Sequence, residues 1–264
     1  MEVASFRKKE LISNYIILGI FAIVSLAPIL VLIFNAFKPA VEFGTNPIGL
    51  PNNITFQNFP DAWVQGEYSK IFFNSFKLVF GTLILCISVS SLAGFSLAKL
   101  NPKGANLVAI YLLVGISIPA QMFLLPLFLL WKNLGLLNTH IGLIIIYSAL
   151  NAPFATFLIR SYMIRLPDEL FDAAKIDGAN IFQQFFRLAI PLSWPVLLTS
   201  ALVVGLAVWN EFLFALTFVQ DENLKPISTI LFAFSWRFIN NQALVSAASI
   251  MMVAPVVILF LLFQ

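Results

Sequence analysis

Six long apolar runs, separated by short polar connections, constrain the fold of this chain more than any other feature. A helix of roughly 20 apolar residues crosses a bilayer core about 30 Å thick, and each run has about this length. The runs are continuously apolar, so they predict helices and not the alternating strands of a membrane barrel. With 60% hydrophobic and 10% charged residues, an ordinary soluble domain is excluded. The sequence predicts an all-α integral membrane protein with six transmembrane helices at 15–37, 72–98, 106–131, 140–160, 189–219 and 242–264.

The positions of lysine and arginine predict which side of the membrane each connection faces, because short cytoplasmic loops carry an excess of these residues. If the six runs alternate in direction, the richer side carries Arg7, Lys8, Lys9, Lys99, Lys103, Arg160, Arg165, Lys175 and Arg187. The other side carries Lys38, Lys70, Lys132, Lys225 and Arg237. Both termini and the 161–188 loop are therefore predicted to be cytoplasmic. This bias accounts for the net charge of +3, so no nucleic-acid partner is expected.

The first apolar run, 15–37, follows three basic residues as a signal peptide would. It is longer than the roughly 7 to 15 residues of a signal sequence, and no small-residue cleavage site follows it, so we expect an uncleaved anchor. No internal repeat, low-complexity tract or soluble domain is visible, and residues 1–264 are predicted to form a single transmembrane domain. The outer connection, 38–71, is rich in Pro, Asn and Gly and is predicted to be irregular.

Motifs for catalysis or metal binding are missing from the sequence. There is no GxxxxGK[ST] phosphate loop, so this chain is not expected to hydrolyse ATP by that route. His140 is the single histidine, and no His, Cys, Asp and Glu cluster has the spacing of metal ligands. We therefore predict that the chain is not an enzyme and that it holds no catalytic residue, metal or cofactor of its own.

The polar segment between the fourth and fifth runs, DELFDAAKIDGANIFQQFFRLAIP, predicts a helix, a bend and a second helix. Pro167 suits the first helical position, and Asp168 suits the positive end of the helix macrodipole. Gly178 follows where a left-handed residue would end the helix. Asn180 and Gln183 have the spacing of a capping box, which predicts that a new helix starts there.

The first of these helices has small and apolar residues on one face, because Phe171, Ala174 and Gly178 recur at a spacing of three and four residues. Small residues let another surface approach the backbone, and the neighbouring carboxylate of Asp172 could pair with an arginine there. Two interpretations stay open at this point. The segment is either a docking helix for another protein or an amphipathic linker that lies on the lipid headgroups.

The same segment resembles the EAA loop of ABC importer permeases, whose pattern is E-A-A, three residues, G, nine residues and then I-x-L-P. Ala173 and Ala174 match the two alanines, Gly178 has the required spacing, and residues 188–191 match the closing element with the two aliphatic residues exchanged. Asp172 stands where the family has glutamate, so the charge is kept and the reach is one methylene shorter. The resemblance implies the ABC type I importer permease fold, in which this loop is a cytoplasmic coupling loop.

Nearly the whole chain is similar to the carbohydrate branch of these permeases, the maltose-permease-like, binding-protein-dependent family. The segments that carry this similarity are Phe72–Ser75, Ser117–Gln121, Pro126 and Trp209–Phe212. Members of that family usually continue beyond the position of Gln264 into a short cytoplasmic tail. The resemblance implies the membrane subunit of an importer that moves a sugar or oligosaccharide into a prokaryotic cell across its plasma membrane.

The resemblance also implies the partners of such a subunit. They are a second homologous permease, a cytoplasmic ABC ATPase dimer that binds ATP and Mg²⁺, an extracytoplasmic solute-binding protein, the sugar and the lipid bilayer. Closure of the ATPase dimer would move the coupling loop and switch the pathway between inward and outward access. The residues expected to dock on the ATPase are Phe171, Asp172, Ala173, Ala174, Ile176 and Gly178.

Polar residues within the apolar runs are candidates for the translocation pathway, since ionisable groups inside a bilayer are costly and often functional. Glu211 and Asn210 lie in the fifth run, and Glu211 is the one acid well inside a predicted span. Gln121 and Asn151 each lie beside a proline, where a broken helix can line a cavity. The alternative for Glu211 is a hydrogen bond that holds the helices together, or a position at the wet outer interface.

Three other functions stay open from the sequence. The chain could be the permease of an importer for a solute that is not a sugar. An ion-coupled secondary carrier is a second alternative, although one buried acid and a docking loop fit it poorly. A scaffolding subunit is the third, if the 161–188 loop binds a partner other than an ATPase.

Overall fold

The chain is mainly helical in the part that the computed structural model describes, residues 2–238 and 241–263. These residues contain no β-strand, so the all-α prediction is confirmed. The α-helices are α1 (Glu2–Ala36), α2 (Ala40–Phe43), α3 (Asn58–Gln65), α4 (Tyr68–Phe95), α5 (Ala105–Ser117), α6 (Leu124–Leu134), α7 (His140–Met163), α8 (Asp168–Ile176), α9 (Ile181–Gln184), α10 (Ile190–Leu192), α11 (Trp194–Asn210), α12 (Leu213–Phe218), α13 (Ile227–Arg237) and α14 (Gln242–Phe263). Shorter turns continue or precede them: π-helical Ser96–Leu100 after α4 and Phe185–Ala189 after α9, and 3₁₀-helical Ala120–Phe123 and Glu222–Leu224.

Four helices are long and apolar enough to cross a bilayer by themselves: Asn14–Ala36, Tyr68–Leu100, His140–Met163 and Gln242–Leu262. Two further helix pairs meet the same criteria only together, because each pair is bent at a short break. These pairs are Ala105–Ser117 with Ala120–Leu134, and Ile181–Leu192 with Trp194–Asn210. If each bent pair counts as one span, the described residues contain up to six spans, in agreement with the six predicted runs.

The third and fifth runs are not the single helices that hydropathy predicted. The third bends by 89°, because Ile118 is extended (φ −84°, ψ 125°). A residue before proline, here Pro119, is disfavoured in the helical region. The fifth bends by 75° beside Ser193 and ends again at Glu211, whose backbone is extended. The runs remain apolar through each break, so their hydropathy does not reveal where the hydrogen-bonded ladder stops.

The chain forms two compact units, Met1–Tyr68 with Ile230–Gln264, and Ser69–Thr229. The prediction that residues 1–264 make a single permease domain stays a prediction. In the first unit, α14 packs against α1 and α3. Ala243, Ala247 and Ala248 of α14 are fully buried, and small residues of this kind let neighbouring helices approach closely.

The connection 38–71 is more ordered than predicted, since it contains α2, α3 and the start of α4. The side chain of Lys38 is fully buried within the first unit. Its Nζ donates hydrogen bonds to Asn35 Oδ1 at 2.8 Å and to the carbonyl oxygen of Asn46 at 2.6 Å. A buried ammonium group needs such partners, and here they connect the end of α1 to the loop that follows α2.

Replacing Lys38 by methionine is expected to loosen the 38–71 connection. The substitution removes the donor of the Asn35 amide oxygen and the Asn46 carbonyl, at a cost of about 1–3 kcal/mol. Hydrogen exchange measured by mass spectrometry should become faster in residues 39–57. Lys103→Met, which changes an exposed lysine, is the control and should leave this exchange unchanged. Equal protection of the loop in the Lys38→Met variant and the native chain would contradict the prediction.

In the second unit, α7 is the central helix and packs against α5 and α11. Its buried face includes Leu143, Ile146 and Tyr147, each about 1% exposed. At the other end of the helix, a Cβ atom on Gly94 of α4 would lie 3.2 Å from the backbone nitrogen of Arg160. The second unit therefore brings the ends of α4 and α7 together beside the 161–188 loop.

Candidate functional site

The loop between α7 and α11 folds as the predicted helix, bend and helix. The first helix, α8, begins at Asp168, so Pro167 immediately precedes the helix and does not occupy its first position as predicted. Gly178 has φ +80°, which confirms the left-handed bend. Most side chains disfavour this conformation, whereas glycine adopts it without strain.

The second helix of the loop begins with the predicted capping box. The side chain of Asn180 accepts a hydrogen bond from the backbone N–H of Gln183 at 2.9 Å. In return, the backbone N–H of Asn180 donates to Gln183 Oε1 at 2.8 Å. Because both bonds are present, the start of α9 is well defined, with its N-cap Asn180 only two residues after the bend at Gly178.

Most of the predicted docking residues are accessible on α8 and the bend. Asp172, Ala173, Ile176 and Gly178 are exposed, and Ala174 is half-buried. Ile176, the last residue of α8, is 86% exposed. Their role in docking stays a prediction. We call the exposed group of Asp172, Ala173, Ile176 and Gly178 the docking face.

The prediction that Phe171 is an apolar contact for the ATPase is corrected by the structure. Its side chain is only 3% exposed, so it cannot contact a partner directly. Its ring lies 6.2 Å from the ring of Phe95 at the end of α4, measured between centroids. Phe95 in turn lies 5.3 Å from Phe185 on the second helix of the loop. Phe171 therefore packs α8 against the body of the second unit, opposite to its predicted role as a surface contact.

Lys99 is a residue of this site that sequence reasoning used only as a positive charge for orientation. Its side chain is 4% exposed, and its Nζ bonds the carbonyl oxygen of Leu166 and Asp168 Oδ1, both at 2.6 Å. The hydrogen bond and the charge of Lys99 hold the pKa of the Asp168 carboxyl below its usual range. These partners lie more than 60 residues away in sequence, so no local sequence pattern predicts the contact.

Glu211, the acid inside the fifth run, ends α11 and caps the helix that follows. Its carboxylate accepts hydrogen bonds from the backbone N–H groups of Phe214 at 2.9 Å and Ala215 at 3.1 Å, in the first turn of α12. The hydroxyl of Tyr147 donates a third bond, at 2.8 Å. This geometry favours the alternative in which Glu211 holds helices together, and its part in translocation stays a prediction.

Asn210 and Asn151 both bond back to their own helices. The amide of Asn210, which is exposed, donates to the carbonyl oxygen of Leu206 at 2.8 Å. The amide of Asn151 donates to the carbonyl oxygen of Tyr147 at 2.8 Å. The helix around Asn151 is not broken as expected, because α7 continues through Pro153.

Gln121 lies at the break of the third span and lines an open cavity of about 450 Å³. The other lining residues are Gly115, Ile116, Ile118, Pro119, Ala120, Phe123, Ala149, Leu150, Pro153 and Phe154. Asn151, Asn210 and Glu211 are not among the lining residues. Gln121 thus lines the same cavity as residues of α7, but the predicted pathway residues are not gathered around this one cavity.

Among the described residues, no three His, Cys, Asp or Glu side chains come together as a metal site would require. Cys86 is a buried thiol without a disulfide partner. The predicted absence of metals, cofactors and catalytic residues stays a prediction.

Residues 90–264 match a protein family described as "Binding-protein-dependent transport system inner membrane component". Similar proteins include the probable ABC transporter permease protein YurM of Bacillus subtilis, 34% identical over 96% of this chain and 84% of YurM. The diacetylchitobiose uptake system permease protein NgcG of Streptomyces coelicolor is 30% identical, over 95% of this chain and 84% of NgcG. The arabinooligosaccharides transport system permease protein AraQ of Halalkalibacterium halodurans is 35% identical, over 92% of this chain and 88% of AraQ.

A solved structure has the same fold. A chain from a bacterial ABC transporter involved in the import of the acidic polysaccharide alginate matches with a TM-score of 0.85. The match covers 97% of this chain and 96% of the other, at 24% sequence identity. The fold predicted from the EAA-like loop is therefore confirmed.

Proposed function

Because this chain belongs to the family of inner membrane components of binding-protein-dependent transport systems, we propose that it is the membrane subunit of an ATP-driven ABC importer. The chain is a multi-pass membrane protein of a transport family. ATP is hydrolysed on separate subunits, which bind ATP and Mg²⁺. The 161–188 loop faces the cytoplasm, and so do both termini, in the plasma membrane of a prokaryote.

The proposed cargo is a sugar or an oligosaccharide. Support comes from two of the similar proteins, which are named for arabinooligosaccharides and diacetylchitobiose. An extracytoplasmic solute-binding protein delivers the sugar, and a second homologous permease completes the pathway in the bilayer. A solute of another class is the alternative cargo. The family is one of transport systems that depend on a binding protein, and no specific observation favours an ion-coupled carrier or a scaffolding subunit.

Coupling runs through α8 and the bend that follows it, and one observation carries this part of the proposal. Asp172, Ala173 and Ile176 of the docking face are exposed on one side of α8, while Phe171 on the other side is buried against Phe95. A partner that grips the docking face can therefore move α8 without breaking its attachment to the body. The bend at Gly178 and the capping box at Asn180 pass this movement to α9, which leads into the fifth span.

Crosslinking from the docking face tests this function. Ala173→Cys, in a Cys86→Ala background, is expected to crosslink to an ATP-binding subunit in native membranes, because Ala173 is exposed on α8. Lys103→Cys provides a matched control, since it is exposed in another connection predicted to be cytoplasmic. Mass spectrometry of the crosslinked band, with and without ATP, identifies the partner. If Ala173→Cys crosslinks only to lipid and to no nucleotide-binding protein, the loop is an interfacial linker. The proposal then loses its main support.

A further inference from the structure

The end of the second span carries Lys99, which lies outside the route through α8, the bend and α9. Lys99 lies in the π-helical turn Ser96–Leu100 that continues α4, and this turn ends at Asn101 with a left-handed backbone (φ 41°). π-Helical turns inside or at the end of α-helices are rare and occur frequently at functional sites. The side chain of Lys99 is 4% exposed, although the lysines of the surrounding connections are exposed.

The contacts of Lys99 all lead to α8. Its Nζ bonds the carbonyl oxygen of Leu166 and Asp168 Oδ1, which are the residues that enter and begin the helix. The same Nζ lies 5.1 Å from the centroid of the Phe171 ring, one turn further along. An ammonium group out of water is costly unless it is paired, so these contacts hold the lysine and the start of α8 in one arrangement.

Apolar packing makes a second connection between the same two helices. Phe95, one turn before Lys99, contacts the rings of both Phe171 and Phe185. Ile159 and Met163 from the end of α7 are fully buried in the same cluster. The end of α4 is thus attached to α8 twice, once by a charged group at the start of the helix and once by aromatic rings beneath it.

We infer that Lys99 is a positioning residue that ties the second span to the docking helix, so that α4 moves together with α8. This inference rests on the proposed function, in which a partner moves α8. The movement then reaches the bundle by two routes, through the bend into the fifth span and through Lys99 into the second. The bonded carbonyl of Leu166 matters more than Asp168, because the Asp168 side chain is 80% exposed and its pair with Lys99 is weakened by water.

The inference predicts a graded series of variants. Lys99→Arg keeps a charged donor and should retain coupling. Asp168→Asn keeps an acceptor for Lys99 and should have a small effect. Lys99→Met keeps the apolar stem but removes every donor, so α8 loses its polar connection to α4. Lys103→Met removes an exposed lysine on the adjacent connection and is the matched control.

Spin labels on the two helices test the tie directly. One label is placed at Glu169 on α8, outside the docking face, and the other at Phe80 on α4, both exposed positions, in a Cys86→Ala background. Phe80 lies about 28 Å along the helix from Lys99, within the range of pulsed distance measurements. The distance between the labels is measured in the full complex, purified with its ATPase, without nucleotide and after trapping with ATP and vanadate.

We expect the same distance in both nucleotide states for the native, Lys99→Arg and Lys103→Met chains. In Lys99→Met the distance should change on trapping, and the amount of transport per ATP hydrolysed should fall. A purely structural lysine would lower the amount of folded complex without making the distance depend on nucleotide. If Lys99→Met does not assemble, Lys99→Gln replaces it. Glutamine keeps an amide donor group but loses the charge, so the same change in distance is expected with a smaller size.

Two results would overturn the inference. The first is a nucleotide-dependent distance in the native complex, which would mean that α4 and α8 do not move together. The second is a distance that stays constant in Lys99→Met or Lys99→Gln. Either result leaves the proposed function intact as long as Ala173→Cys crosslinks to an ATP-binding subunit, whereas a failed crosslink counts against the proposed function itself.

Discussion

Substituting Gly178 by valine is expected to lower transport about tenfold or more while the chain still inserts into the membrane. The backbone of Gly178 has φ +80°, in a region that costs an L-residue about 1–2 kcal/mol and a β-branched residue more. The bend also contains two hydrogen bonds, from the N–H of Gly178 to the Lys175 carbonyl at 3.0 Å and from the N–H of Ala179 to the Ala174 carbonyl at 2.8 Å. Valine would favour another backbone angle and break this end of α8.

The effect on function should exceed the effect on stability. A Cβ atom at Gly178 would meet nothing within 4 Å, so the substitution causes strain and not a clash. Since 1.4 kcal/mol is a factor of about ten in an equilibrium constant, the strain is large enough to reduce the population of the docked arrangement about tenfold or more. The transmembrane helices do not depend on this bend for their own hydrogen bonds, so insertion should be unaffected.

Uptake and ATP hydrolysis, measured on the same reconstituted complex, check this prediction. Gly178→Asn is the conservative variant, because asparagine tolerates the left-handed region, and it should retain most of the uptake. Gly104→Val is the matched control, since Gly104 also has a positive φ, +91°, and open space around it but lies outside the docking loop. Normal uptake by Gly178→Val would show that the bend does not transmit the movement of α8.

Glu211→Ala is expected to lower the free energy of unfolding by roughly 3 kcal/mol, the second large effect. The substitution leaves the N–H groups of Phe214 and Ala215 and the hydroxyl of Tyr147 without their acceptor. These donors lie in an apolar bundle where water cannot easily replace the carboxylate. The start of α12 should therefore fray, and the melting temperature of the detergent-solubilised protein should fall by about 10 °C.

Two milder variants separate the bonds that Glu211 makes. Tyr147→Phe removes only the hydroxyl donor and should cost about 1 kcal/mol. Glu211→Gln keeps an acceptor oxygen for α12 and should cost less than Glu211→Ala. Uptake per folded complex should then stay close to native in all three. Should Glu211→Ala melt like the native protein and yet lose uptake, the carboxylate would belong to the translocation pathway.

The docking loop illustrates how far local patterns reach. The bend at Gly178 and the capping box of Asn180 and Gln183 were predicted correctly, because each depends on backbone conformation and hydrogen bonds within a few residues. The prediction that Phe171 is a surface contact was wrong, because the orientation of its side chain depends on residues distant in sequence. A phenylalanine on a helix of mixed polarity can face a partner or its own protein, and only the position of Phe95 decides which.

The apolar runs show the same division at a larger scale. Their length and continuity predicted the helices and, with the EAA-like spacing, the fold, because a bilayer demands about 20 apolar residues whose backbone groups are satisfied within the helix. Hydropathy did not locate the breaks at Pro119 and Ser193, since the residues on both sides are apolar. A break lies where the backbone hydrogen bonds of the helix are interrupted, and average hydropathy contains no information about those bonds.

The sequence by itself determined that this chain is a helical membrane protein with a polar helix, bend and helix inserted between two spans, since these features follow from residue type and short-range spacing. Only the tertiary structure decided that Lys99 is buried against the start of α8, that Phe171 faces inward and that Glu211 accepts a hydrogen bond from Tyr147. Each of these depends on residues distant in sequence, whose approach is set by the packing of whole helices. Charge and hydropathy are properties of a residue, but burial and pairing are properties of its neighbours in space.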